Sequence, residues 1–154
     1  MKKIKRKIKI LICIILNRIF ILIFPLQKNK VTFLSDVRKV MGGNLECVYE
    51  YLDDYQYKKI IALKGDHRDK RGFIKKIKLI YHLSTSHYIL LDDLSRECNY
   101  LKVRKNQEVV QLWHGAGAFK KFGWSRSNTG EDVGPIHKGY RTYTKAIVSS
   151  DDIR

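Results

Sequence analysis

The chain has 154 residues, 44% of them hydrophobic and 30% charged, and a formal net charge of +16. That length is one domain's worth, enough for a real core. Its three cysteines, Cys13, Cys47 and Cys98, are widely spaced with no Cys-x-x-Cys, which argues against a disulfide framework or a zinc site; all three read as packing residues in a reducing compartment.

The charge is uneven. Residues 1–30 carry nine Lys/Arg and no acid, whereas the rest of the chain carries 22 Lys/Arg against 15 Asp/Glu. A basic excess attracts phosphate-rich polyanions in general, whether nucleic acid, anionic lipid or a phosphate polymer. No recognised nucleic-acid motif accompanies it, so no nucleic-acid partner is expected.

Taken in order, Lys2, Lys3, Lys5, Arg6, Lys7 and Lys9 form a basic cluster ahead of an apolar stretch, Ile10 to Phe24. Asn17 and Arg18 interrupt that stretch and Pro25 closes it. It is shorter than the about 20 apolar residues a spanning helix needs. On a helical wheel Ile4, Ile8, Leu11, Ile12, Ile15, Ile19 and Leu22 share one face, while Lys2, Lys5, Arg6, Lys9, Asn17 and Arg18 avoid it. The pattern predicts a basic amphipathic helix lying in a membrane interface, its charges against anionic headgroups on the cytoplasmic side, and so a peripheral protein. A cleaved signal peptide competes, but no small-x-small site follows Phe24; an ordinary packed helix is the other alternative. Residues 1–27 are thus read as a membrane-associating segment and 28–154 as one domain.

Val31 to Ser35 reads as the first strand. Gly42-Gly-Asn44 is a loop in which Asn44 suits the N-cap of a helix through Leu52; the glycine pair is a weak phosphate-loop signal without further glycines. Tyr57 to Leu63 is a second strand. Phe73 to Ser84 follows with Phe73, Ile74, Ile77, Ile80 and Tyr81 at helical spacing and Lys75, Lys76 and Lys78 opposite. Tyr88 to Asp92 is a third strand; Asp92 and Asp93 at its end could line a crevice there, but capping of the following turn is the preferred reading. This alternation predicts an α/β fold with a parallel, Rossmann-like sheet. His82 and His87 have no acidic or cysteine partner at ligand spacing, so they read as structural, and neither a metal nor a cofactor is called for.

The stretch with most chemistry begins at Glu108. An apolar run, Val109 to Trp113, hands over to His114, then to a Gly/Ala-rich turn with Gly115 and Gly117, then to Lys120 and Lys121. A buried strand that delivers a polar residue to its C-terminal tip looks like this, and ligands bind at such tips. There His114 suits a general base for a hydroxyl nucleophile, and the glycines and lysines suit a phosphate. A core histidine followed by a solvated basic helix would produce the same residues. Residues 125–138, polar and glycine-containing, read as a loop over the crevice.

Trp113-His-Gly-Ala-Gly-Ala-Phe-Lys-Lys-Phe-Gly123 resembles the signature of the CDP-glycerol glycerophosphotransferase family, the teichoic-acid primases and polymerases. Tyr88 to Asp93, Tyr100 to Gln107 and Tyr140 to Arg154 extend the likeness to residues 31–154. One departure is Ala116, where many members carry Thr. The resemblance implies the acceptor-side, N-terminal Rossmann-like domain of a GT-B transferase, truncated before the domain that binds CDP-glycerol or CDP-ribitol. It further implies transfer of glycerol phosphate to a polyol-phosphate polymer acceptor of the teichoic-acid or capsule type, with His114 as base and Gly115, Gly117, Lys120 and Lys121 near phosphate. Without the donor domain the chain alone is expected to be inactive. The alternative is a non-catalytic basic membrane-surface protein that keeps only the fold.

Overall fold

Short apolar runs and the lysine-faced helices between them assemble as the alternation requires. The computed structural model describes residues 2–66, 68–113 and 142–148. In order these form α1 (Lys2–Ile23), β1 (Gln27–Ser35), α2 (Asn44–Tyr51), β2 (Lys58–Leu63), α3 (Phe73–Thr85), β3 (Ser86–Leu91), β4 (Glu108–Gln111) and β5 (Lys145–Ala146). Every pairing is parallel and the order is β2-β1-β3-β4-β5, an α/β, Rossmann-like sheet preceded by a helix.

Strands buried on both faces read as continuous apolar runs, and each face has its own core here. On one side Leu34, Ile89, Leu91 and Val109 pack with Leu79 and Leu83 of α3. On the other Val31, Phe33, Leu90 and Leu112 pack with Leu45 of α2. β1 starts at Gln27, ahead of its apolar run, and its register against β3 shifts between Gln27 and Val31.

Two helical faces differ from the sequence reading. In α3, Phe73 and Ile74 are each 69% exposed, and the buried positions are Leu79, Ile80, Leu83, Ser84 and Thr85. The first turn of α3 therefore contributes nothing to the core. In α1, the residue that interrupts the apolar stretch makes the attachment. Asn17 is 1% exposed; its amide donates to Ser84 Oγ at 2.8 Å and its carbonyl accepts from the backbone N–H of Lys102 at 2.9 Å. Phe20 and Phe24 stand edge-on to Tyr81, with centroids 5.7 and 5.0 Å apart. The apolar face, Ile4, Ile8, Leu11, Ile12, Ile15, Ile19 and Leu22, points outward, from 38% exposed at Ile12 to 85% at Leu22. Among the described residues no helix is long and apolar enough to cross a membrane.

Lys30 is wholly buried beneath this junction. Its Nζ donates to Thr85 Oγ1 at 2.6 Å and lies 4.7 Å from the Tyr81 ring centroid. Burial, with the neighbouring charge of Lys58, lowers its pKa to about 8.

Candidate active site

β2 and β3 lie on opposite sides of β1, so the chain leaves β1 and β3 in opposite directions. In open α/β sheets that divergence opens a crevice at the C-terminal strand ends, the usual ligand site. Here it is bordered by the segment after β1, the end of β3 and the end of β4.

After β1, Ser35 Oγ accepts from the N–H groups of Val37 and Arg38 at 3.3 and 3.2 Å, which turns the chain. Arg38 then reaches across the divergence, its Nε donating to Oδ2 of fully buried Asp92 at the end of β3. A charge-assisted pair with one buried partner is among the stronger side-chain contacts. The Arg38 side chain remains 32% exposed. Gly42 and Gly43 close on it: a Cβ added at Gly42 would lie 3.1 Å from one terminal guanidinium nitrogen, and at Gly43 2.8 Å from the other. Gly43 also sits at φ 58°. The glycine pair thus makes room for Arg38, which explains it without a phosphate loop.

Asp92 is drawn inward by the Arg38 charge, while Asp93 accepts the Leu94 N–H at 2.6 Å where the following turn starts. Asp36, also fully buried, takes Arg71 at 2.8 Å and Lys64 at 3.9 Å.

The third border carries the histidine-bearing segment. β4 ends at Gln111, and the Leu112 N–H extends the ladder by one bond to Leu91 O at 2.7 Å. Trp113 then turns to φ 60°, a conformation that costs a bulky residue about 1–3 kcal/mol and persists only where the surroundings impose it. Gln111 Oε1 accepts its N–H at 3.1 Å. Asn44 Nδ2 donates to the carbonyls of both Leu112 and Trp113, at 3.0 and 2.9 Å. Asn44 was expected to cap α2; the cap position is Gly43, with no side-chain bond, because the Asn44 amide is engaged with the strand tip instead.

His114, Gly115, Gly117, Lys120 and Lys121 lie outside the described residues. What is described is the fixed peptide that precedes them. Lys2, Lys3, Lys5, Arg6, Lys7 and Lys9 all belong to α1, and Lys7 and Lys9 are exposed. Arg38 and Asn44 were missed as site residues because each gains its role from a partner more than 50 positions away, whereas Asp92 is a crevice candidate in the sequence that reads there first as a turn cap.

Cys98 is buried, and burial, then the charges of Glu97 and Asp36, raises its thiol pKa far above the ordinary range. Cys47 is exposed, contrary to a packing role, because α2 turns it away from the Leu45 side. Among the described residues no cluster of three or more His, Cys, Asp or Glu could hold a metal.

Residues 15–154 match the protein family described as CDP-Glycerol:Poly(glycerophosphate) glycerophosphotransferase. The chain is 41% identical over 136 residues to the teichoic acid poly(ribitol-phosphate) polymerase of Bacillus spizizenii, an alignment covering 86% of this chain and 22% of that protein. It is 41% identical over 135 residues to the Staphylococcus aureus teichoic acid ribitol-phosphate polymerase TarL, covering 83% of the chain and 24% of TarL. To TarK of the same organism it is 37% identical over 131 residues, covering 81% and 25%. The chain thus spans about a quarter of the length of these relatives.

Proposed function

This chain belongs to the CDP-Glycerol:Poly(glycerophosphate) glycerophosphotransferase family, and from that premise we propose that it is the acceptor-side domain of a polyol-phosphate transferase working at a membrane surface. A terminal hydroxyl of the acceptor polymer attacks the β-phosphorus of a CDP-linked polyol phosphate. The new P–O bond forms as the bond to CMP breaks, and His114 takes the hydroxyl proton. Gly115, Gly117, Lys120 and Lys121 are the phosphate-side candidates, with Arg38 as an additional cation. In phosphoryl transfer positioning and charge stabilisation do most of the work, so a rigid support for the base is what such a site needs. The observation that carries the reading is the double hydrogen bond from Asn44 to the two carbonyls immediately before His114.

The transferred unit is either glycerol or ribitol phosphate, from CDP-glycerol or CDP-ribitol; the names of the ribitol-phosphate polymerases above favour ribitol. Residues 1–27 hold the domain to the cytoplasmic face of the membrane, a reading supported by the exposed apolar face of α1 beside exposed Lys7 and Lys9. Donor binding lies outside this domain, so the 154 residues alone release no CMP from either donor.

The test exchanges these 154 residues for the matching region of the Bacillus spizizenii polymerase and measures CMP release. His114→Gln should lower turnover by about 10²-fold to 10⁴-fold with little change in substrate affinity, and abolish the acidic limb of the rate profile. Near-normal turnover with an unchanged limb removes His114 from the mechanism. Robust CMP release by the 154-residue chain itself would place the donor site within this domain. A chimera that binds membranes but transfers nothing, with or without His114, would favour the non-catalytic surface protein.

A further inference from the structure

Beside the crevice, between edge strand β2 and α3, lies a groove of about 390 Å³. Five basic side chains line it, Lys64, Lys70, Arg71, Lys75 and Lys78, against one acid, Asp69. Lys64 and Arg71 stand at the end nearer the crevice, with side chains 7% and 8% exposed, and Asp36 at the C-terminal end of β1 holds both. Lys75 and Lys78, three residues apart on one face of α3, run along the groove; together with Lys70 they are exposed and have no ion-pair partner among the described residues. At the far end stands His82, whose Nδ1 has no hydrogen-bond partner among the described residues. Burial, then Lys30, Lys58 and Lys78, lowers its pKa to about 4, so it stays neutral at physiological pH. The other wall is the outer edge of β2, which among the described residues pairs with β1 alone and so leaves alternate backbone N–H groups without a described strand partner.

We propose that this groove is an anion site, separate from the strand-tip crevice, that holds a phosphodiester stretch of the polyol-phosphate polymer away from its reacting end. The chemistry is divided accordingly. Phosphates meet Lys75 and Lys78, while the outer edge of β2 and the other ring nitrogen of His82, Nε2, offer hydrogen bonds to polyol hydroxyls, the Nδ1 of His82 being buried. Arg71, which lines the groove, is also held by Asp36 at the C-terminal end of β1, so the groove starts beside the crevice. The identity of this polymer rests on the transferase reading above.

The experiment measures binding of a fluorescein-labelled synthetic poly(ribitol phosphate) oligomer to the full chain at low salt. Lys75→Glu combined with Lys78→Glu should weaken binding about tenfold or more, whereas the same reversal at exposed Lys28 and Lys105 should change it less than about threefold. His82→Phe, which leaves the charge unaltered, should weaken the oligomer but not inorganic phosphate. Equal losses from both charge reversals would reduce the effect to net charge and overturn the site. So would a labelled oligonucleotide bound as tightly, or loss of binding to phosphatidylglycerol vesicles rather than to the oligomer. If binding instead falls with Lys120→Glu and Lys121→Glu and is untouched at the groove, the transferase reading stands and this one fails.

Discussion

Asn44 holds the carbonyl of Trp113 at 2.9 Å although the two stand 69 positions apart, and Trp113 occupies a backbone conformation that few bulky residues adopt. The amide spans from the first residue of α2 to the end of β4. It fixes the orientation of the peptide from which His114 follows.

Asn44→Asp keeps the shape but removes the donor and sets a carboxylate against two carbonyls. In the polymerase chimera it should lower kcat at least tenfold with KM nearly unchanged, and lower stability by about 1–3 kcal/mol. Chemical denaturation with steady-state kinetics checks both. A purely structural role would lower stability and leave kcat intact in the folded fraction.

Asn17→Leu should cost about 1–3 kcal/mol, since it leaves the Lys102 N–H without its acceptor and removes the buried bond to Ser84 Oγ, whose hydroxyl keeps its donation to Ile80 O. Limited proteolysis should then cut between α1 and β1 earlier than in the parent chain. An unchanged cleavage rate would mean that Phe20 and Phe24 secure the helix without it.

The outward face of α1 is tested by Leu11→Asp with Ile15→Asp, two exposed positions whose change leaves the core alone. Partitioning onto vesicles containing phosphatidylglycerol should fall about tenfold or more, and high salt should weaken the parent chain as well. Equal co-sedimentation of parent and variant would detach α1 from membrane binding.

His82 gives the fold a pH dependence. Its pKa is about 4 in the folded chain against an ordinary 6.5. Above pH 6.5 neither state is charged and the residue contributes nothing. Between 6.5 and 4 the unfolded chain takes up a proton that the folded chain refuses, so stability falls as the pH falls, and below 4 the penalty is complete. Thermal melting of His82→Gln across this window should show a shallower decline than the parent.

The alternation of strands and helices was legible because it is written in local periodicity, and α1 and α3 fall where their apolar spacing puts them. What the helices do with their faces was not legible. The wheel separates Asn17 from the apolar stripe correctly but carries no information about which face meets α3, a choice made by Ser84 and Lys102. Asn44 obeys a local capping rule and is claimed instead by a distant strand end. Phe73 and Ile74 have core periodicity but sit in a first turn that no core cluster reaches. The signature around His114 was legible as residue types, and Asp92 as a candidate for the crevice, whereas Arg38 becomes a site residue only through the strand order.

The Asn17 attachment also bears on how the proposed membrane segment would behave without lipid. A helix tethered by its polar side shows water a stripe of isoleucine and leucine, the kind of surface that seeks cover. On the membrane reading proposed above, acyl chains would supply that cover at a bilayer and another copy would supply it in plain buffer. Self-association and lipid binding would then compete for one surface, and the apparent mass of the protein should drop to that of single chains as lipid is titrated in.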